Sequence, residues 1–357
     1  MKTKLLYVLT CAPDATYIEQ ALISIWSARY HNPGAYIILL VDDLTNILLV
    51  DNRAEILQYI SEKIVIPFND SQATMMYRSR FIKTQVRHLV KGDFLFIDCD
   101  TIITQSLDNI DEFDCEIGAI LESHLKVNQF CNALYHSTKD ALSLVGVDID
   151  NEQYYFSSGV LYVRDTERTR KLYQLWHQYW LEGNQKGLKI DQPALAKANK
   201  TNGYVIKQIP DTYNCILFTQ PPFLRSSFIL HIAAYNNPSF LFTDKVLNYV
   251  RKNGLTNSWL QKLIINPFAT MMPFDYNLKL SSICERIQWI RELSSAWKGY
   301  KKYIDNTCSD FPNNIRMYQL VVFLIRHNYI NLAIWIYIFE ARFHLYRKPI
   351  KYNLCQK

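Results

Sequence analysis

Short apolar runs alternate with stretches of helical spacing along the first 245 residues. Residues 4–10, apolar from Leu5 to Leu9, read as a buried strand and end at Cys11-Ala12-Pro13-Asp14. Residues 17–30 place Ile18, Leu22, Ile25 and Trp26 on one helical face, and His31-Asn32-Pro33-Gly34 reads as a turn. A second apolar run, 36–41, ends in Asp42-Asp43. Strand, helix and strand in this order predict a βαβ unit and a parallel sheet. The pattern continues with a helix over 54–60, a short strand over 63–66 and a polar loop over 69–76. From Ser79, the residues Arg80, Lys83 and Arg87 recur at helical spacing and give one cationic face; for Arg87 an ordinary solvated position and a functional one are equally open. Lys91-Gly92-Asp93 turns the chain into Phe94-Leu95-Phe96-Ile97, which runs into Asp98-Cys99-Asp100.

Strands are then expected at 116–121, 154–164 and 205–209, with a helix over 166–181 whose core face carries Leu172, Leu175, Trp176 and Tyr179. Residues 122–153 have no clear periodicity, and their histidines, His124 and His136, are expected at the surface. Asp191 stands where it would N-cap the next helix, with Pro193 in its first turn. His231 closes the apolar run 229–232. The expected fold is α/β: a mixed, mainly parallel sheet flanked by helices over residues 1–245, followed by a helical, repeat-free C-terminal extension over 246–357.

Composition narrows the class. With 357 residues, 49% hydrophobic and 20% charged, the chain is globular and not disordered. Its eight cysteines include no Cys-x-x-Cys pair, and several sit in apolar runs, so buried free thiols in a reducing compartment are expected. The N-terminus, Met1-Lys2-Thr3-Lys4 followed by a short apolar run and Cys11, has the outline of a secretion signal. Tyr7 interrupts the run and Thr10 precedes the cysteine, so a first strand is the better reading. The net charge of +6 is uneven: residues 251–357 hold sixteen Lys and Arg against six Asp and Glu. No Gly-x-Gly-x-x-Gly follows the first strand, which argues against a dinucleotide fold.

Chemistry concentrates at the strand ends. Cys11-Ala12, Asp42-Asp43 and Asp98–Asp100 all follow apolar runs, and parallel sheets bind ligands beyond the C-terminal ends of their strands. If the strand alternation continues, Asp98 and Asp100 face one way and Cys99 the core. Two such carboxylates make a hard-oxygen site suited to Mg²⁺ or Mn²⁺ with phosphate oxygens.

The stretch from Ser79 to Thr101, SRFIKTQVRHLVKGDFLFIDCDT, resembles the metal-site region of GT-A glycosyltransferases, in particular the retaining family 8 and its relatives. Phe156-Ser157-Ser158-Gly159-Val160 resembles the family strand that closes over the donor sugar, with Ser157 where the family usually has Asn. Asp191-Gln192, Pro210-Asp211-Thr212-Tyr213-Asn214 and His231 match further motifs in the family's order. The resemblance spans about residues 4–237. It departs at Asn236-Asn237-Pro238, where the family's phosphate-binding Lys is not evident.

The resemblance implies a nucleotide-sugar donor, UDP-linked, with Mn²⁺ or Mg²⁺ held by Asp98, Asp100 and His231. It implies donor contacts from Cys11, Ala12, Arg80, Lys83, Asp98, Cys99, Ser158 and Gly159. Asp191 and Gln192 would face the anomeric carbon. Retention of configuration is implied, and a front-face mechanism with the leaving phosphate as base is compatible. The acceptor is expected to be a glycan or lipid-linked glycan in polysaccharide biosynthesis, with no nucleic-acid partner. The place of action is expected to be the cytoplasm or the inner face of a membrane.

Two other classes compete. A metal-dependent phosphodiesterase or nucleotidyltransferase would need ligands for a second metal, which are not evident. A degenerate glycan- or nucleotide-binding protein would keep the scaffold without the reaction. Residues 246–357 interleave Trp289, Trp297, Tyr300, Tyr303, Trp335, Tyr337, Phe343 and Tyr346 with Lys298, Lys301, Lys302, Arg342, Arg347 and Lys348. That mixture fits either docking on an anionic membrane surface or a helical cap on the catalytic domain. The apolar run 329–339 falls short of the roughly 20 residues needed to span a bilayer.

Overall fold

A computed structural model of the chain describes residues 1–68, 73–130, 132–216, 226–232 and 240–267. Two compact units divide the chain, and the first comprises Met1–Thr219 and Ser226–Thr270. The second, Gln220–Arg225 with Met271–Lys357, lies outside the described residues. So do the aromatic and basic residues named above for membrane docking.

The first unit opens with β1 (Lys4–Leu9), α1 (Tyr17–His31), β2 (Ile37–Asp42), the single turn α2 (Asp43–Asn46) and β3 (Glu62–Ile66). The expected helix near 54–60 is a 3₁₀ segment, Asp51–Gln58, in which only Ile56 is buried. One buried anchor gives little packing to stabilise full α-helical turns. Next come α3 (Met75–Lys83), α4 (Val86–Leu89), β4 (Phe94–Ile97), β5 (Thr101–Ile103) and β6 (Ile117–Ala119). Helix α5 (Asn132–Ser143) lies within the stretch that showed no clear periodicity. Then follow β7 (Val160–Val163), α6 (Glu167–Gln185), α7 (Gln192–Thr201), β8 (Ile206–Gln208), β9 (Cys215–Ile216) and β10 (Ile229–His231). Helices α8 (Asp244–Asn253) and α9 (Ser258–Ile265) complete the unit and pack on α1.

The main sheet runs β3-β2-β1-β4-β7-β6-β8. Strands β1, β2, β3 and β4 are mutually parallel, β7 is antiparallel to both its neighbours, and β6 pairs parallel with β8. The mixed, mainly parallel sheet expected from the sequence is therefore present. Strands β1, β2, β4 and β7 are buried on both faces apart from Lys4, which explains their uninterrupted apolar sequence. A small second sheet, β5-β10-β9, begins where β4 ends.

The cationic helix divides in two. Thr84 follows α3, and its hydroxyl donates back to the Arg80 carbonyl at 2.8 Å and meets His177 Nδ1 at 2.8 Å. This local bond helps break the helix before Val86. Arg87 thereby leaves the face shared by Arg80 and Lys83. It is fully buried, not solvated: it donates to the Gly92 carbonyl at 2.7 Å and to Val90, pairs with Asp165 at 3.2 Å, and lies 4.7 Å over the Phe94 ring. Among the described residues, no helix is long and apolar enough to cross a membrane.

Candidate active site

Asp98 and Asp100 lie on a bend between β4 and β5, not on a continuing strand. The bend is held from several sides. The Asp98 amide donates to the Gly159 carbonyl at 2.9 Å, and Thr101 Oγ1 donates to the Asp98 carbonyl at 2.9 Å. Ser24 of α1 meets Thr101 Oγ1 at 2.8 Å, and Ser27 accepts from the Ile103 amide at 2.9 Å. The Ile232 amide donates to the Asp100 carbonyl at 2.8 Å, which ties β10 to the bend. Cys99 is buried, as expected, with its thiol on the Val8 carbonyl at 3.3 Å.

Asp98, Asp100 and His231 converge, with one donor atom from each lying within 4.8 Å of the others. His231 Nε2 stands 3.2 Å from Asp100 Oδ1, while Nδ1 stands 2.9 Å from Asn214 Oδ1. Asn214 Nδ2 points at the Ser157 hydroxyl, 3.4 Å away, which leaves its oxygen to accept from His231 Nδ1–H. Asn214 thus fixes the ring so that Nε2 faces the carboxylates: protonated, Nε2–H donates to Asp100, and deprotonated, its lone pair is free for a metal ion, the arrangement by which a second partner orients a metal-binding imidazole. Burial opposes the charged form of His231, but the Asp100 charge and hydrogen bond outweigh it and raise its pKa. Burial likewise pushes Asp100 up, and His231 more than reverses it, leaving Asp100 low. At Asp98, burial wins over Lys83 and the pKa rises. The two carboxylates and one oriented imidazole fit a divalent ion of the Mn²⁺ or Mg²⁺ kind.

Gly159 faces this cluster. A Cβ there would meet the His231 ring, with Nδ1 at 2.9 Å, and would come within 3.1 Å of Asp98 Oδ2. The motif's glycine is required by space, since its backbone runs against the cluster.

A second charge group adjoins the first. Lys83 Nζ lies 3.1 and 3.3 Å from the two Asp98 oxygens, 3.4 Å from Ser158 Oγ and 3.6 Å from Asp191 Oδ2. Arg80 Nε is 3.4 Å from Asp191 Oδ1. Asp191 occupies the residue before α7, but its side chain caps nothing. The capping role expected for it is not used, because the carboxylate turns away to the two cations. Burial raises its pKa, but Lys83, Arg80 and Ser158 together outweigh burial and hold it low. Asp191 thus stays ionised while almost wholly enclosed.

The remaining expected residues fall around these two groups. Cys11 is buried, its amide donating to Thr45 Oγ1 at 2.7 Å and its carbonyl accepting from Arg78 at 3.2 Å; Ala12 follows it at the β1 end. Gln192 donates from Nε2 to Glu122 at 2.8 Å. Cys11, Cys99 and Cys115 are buried free thiols, and Cys215 is buried as well.

Three contributors had no individual sequence signal. Asn214 was visible only as part of its motif, Glu122 lay in the aperiodic stretch, and Arg78 reads as one more basic helix residue although it pairs with the buried Asp42. His124 is not a surface residue: its ring is mostly enclosed, accepts from the Ile216 amide at 3.1 Å and stands 3.4 Å from Asp211.

No family model matches the sequence, and no curated protein matches it. Several solved structures are similar in fold. One is the galactosyltransferase LgtC in complex with donor and acceptor sugar analogues, at 13% identity over 73% of this chain and 100% of that one, with a TM-score of 0.48. Another is mouse xyloside xylosyltransferase 1, at 13% identity over 67% of this chain and 99% of that one, TM-score 0.44. A third is the glycosyltransferase GlyE of Streptococcus pneumoniae, at 19% identity over 76% of this chain and 65% of that one, TM-score 0.41.

Proposed function

We propose that this chain is a GT-A glycosyltransferase that moves a sugar from a nucleotide-sugar donor, UDP-linked, to a glycan or lipid-linked glycan acceptor, with retention of configuration. The observation that carries the reading is the meeting of Asp98, Asp100 and His231 at the end of β4, beside the ionised, uncapping Asp191.

In this reading Asp98, Asp100 and His231 hold Mn²⁺ or Mg²⁺. The ion, when bound, neutralises the donor diphosphate as a Lewis acid. Arg80 and Lys83 bring positive charge to the nucleotide side of the site, where charge develops on the leaving diphosphate. Gly159 and Ser158 give the donor close access to backbone. Asp191, held ionised by Lys83 and Arg80, presents negative charge toward the anomeric carbon as the glycosidic bond breaks. Gln192 presents its amide beside it. The peripheral site of action, at the cytoplasmic face of an anionic membrane, belongs to the same proposal and rests on the basic and aromatic residues of the C-terminal stretch.

A thermal-shift panel of nucleotide sugars identifies the donor, and its hydrolysis or transfer is then followed with Mn²⁺ and with EDTA. Turnover should require the ion. Asp100→Asn should remain folded and lose turnover. Full activity in EDTA, or in Asp100→Asn, overturns the metal assignment. NMR of the product should show the donor's anomeric configuration kept, and inversion overturns retention.

A further inference from the structure

Between β6 and α5 the backbone takes a conformation rare for residues with a side chain. Ser123 has φ 55° and His124 has φ 61°, two consecutive left-handed residues, neither of them glycine. Such residues persist only where surrounding contacts impose them, and they gather at functional sites. Here the contacts are explicit. The Glu122 amide donates to the Tyr155 carbonyl at 2.7 Å, and the His124 amide donates to the Leu121 carbonyl at 3.0 Å. The His124 ring accepts from the Ile216 amide at 3.1 Å and stands 3.4 Å from Asp211, which anchors the turn to the segment that also supplies Asn214.

The side chain that this turn aims is Glu122. Its Oε2 accepts from Gln192 Nε2 at 2.8 Å, and its Oε1 accepts from Ser123 Oγ at 3.2 Å. An ionised carboxylate can only accept, whereas an amide can offer either end. Gln192 must therefore turn its NH₂ to Glu122, and its carbonyl oxygen becomes the end directed away from that carboxylate. Gln192 is the first residue of α7, next to Asp191. The bond to Glu122 is thus the contact that sets which end of the amide faces the site.

We infer that Glu122 is a positioning residue that locks the Gln192 amide so that its carbonyl oxygen, an acceptor, faces the transferred sugar. This rests on the glycosyltransferase reading above. It deepens that reading by assigning the contact to a sugar group that donates a hydrogen bond, a hydroxyl being the chemistry that fits. The left-handed pair Ser123–His124 is the device that holds Glu122 at the required reach.

The test compares the wild type with Glu122→Gln, Gln192→Glu and the double exchange Glu122→Gln/Gln192→Glu. Glu122→Gln keeps shape but lets the two amides pair in either sense, so the lock is lost. Its kcat should fall roughly 10- to 100-fold, the scale of loss from a misplaced reacting contact. UDP affinity by calorimetry should be unchanged, because Glu122 acts on the sugar side. Gln192→Glu should also lose kcat, since two carboxylates then face each other. The double exchange restores a single donor–acceptor sense, with an oxygen again directed at the sugar. Its kcat should exceed the product of the two single losses by about tenfold. Wild-type kcat in Glu122→Gln, or losses that simply multiply in the double variant, overturn the inference while leaving the glycosyltransferase reading intact. A fall in UDP affinity equal to the fall in kcat overturns it too, because it points to general damage. A wild type that turns over no nucleotide sugar overturns both.

Discussion

Asp191 separates two roles that one residue type serves equally well. An Asp before a helix commonly caps it, and Asn does so about as well. Here the side chain makes no cap and instead faces Lys83 and Arg80, so its charge and not its shape is in use. Asp191→Asn should therefore lose kcat by at least about 100-fold, while far-UV circular dichroism stays unchanged. Wild-type kcat would make the residue structural. Much of this site was legible residue by residue. Asp98, Asp100 and His231 stood at the ends of apolar runs, where parallel sheets bind ligands, and in the order of the resembling motifs. The reason the two carboxylates converge differs from the one the sequence suggested: a bend between two sheets brings them together, not strand alternation. Asn214 and Glu122 act through His231 and Gln192, and a partner's partner leaves no pattern in a sequence.

At the scale of elements, β4 is the member on which the site depends, and its entry is clamped by Arg87. The guanidinium ties the carbonyls of Val90 and Gly92 to Asp165, whose carboxylate also accepts from the Gly92 amide at 2.7 Å. Gly92 has φ +78°, so the turn needs both the glycine and the clamp. Helical spacing alone could not show that Arg87 departs from Arg80 and Lys83, because the break comes from a Thr84 hydroxyl bond. Arg87→Met should cost about 2–3 kcal/mol, from the carbonyls of Val90 and Gly92 left without their donor, while the partly exposed Asp165 keeps Arg170. Urea unfolding checks it, and a loss below about 1 kcal/mol would mean the clamp is incidental. The same region carries a pH dependence. His177 packs on Phe81, and burial, with the neighbouring His88 charge, lowers its pKa from 6.5 to about 4. Between those values the unfolded chain binds the proton and the folded one does not. Stability contributed by neutral His177 is thus full above the unfolded pKa and lost as pH falls through that window. Partial exposure reduces the effect to on the order of 1–2 kcal/mol. His177→Gln should flatten the urea midpoint between pH 7 and pH 4.5 relative to the wild type; parallel curves would reject the assignment.

At the scale of the molecule, the boundary between the sheet unit and the C-terminal region decides how that region can be tested. Charge and aromatic content place the change near residue 245, but the packing of α8 and α9 is carried by the core of the first unit. Val246, Leu247, Val250, Leu255, Leu260 and Ile264 are buried, and Arg251 joins Arg53 on Glu19, which is 1% exposed. The Leu255 amide adds a bond to Glu55 at 2.9 Å. Burying six such side chains contributes on the order of 10 kcal/mol, comparable with the whole stability of a domain. A chain ending at Lys245 should therefore fail to fold or aggregate, and its loss of lipid binding would say nothing about membranes. A chain ending at Thr270 keeps every one of these contacts and should unfold cooperatively; failure to do so would make it no partner for the full one. That shortened chain is the proper partner for the full one in co-sedimentation with anionic vesicles. Binding by the full chain alone, weakening as salt rises, is the outcome expected if the basic stretch beyond residue 270 reaches the membrane surface. Equal binding by both chains would move the contact to the sheet unit, and no binding by either at low salt would remove the membrane from the proposal.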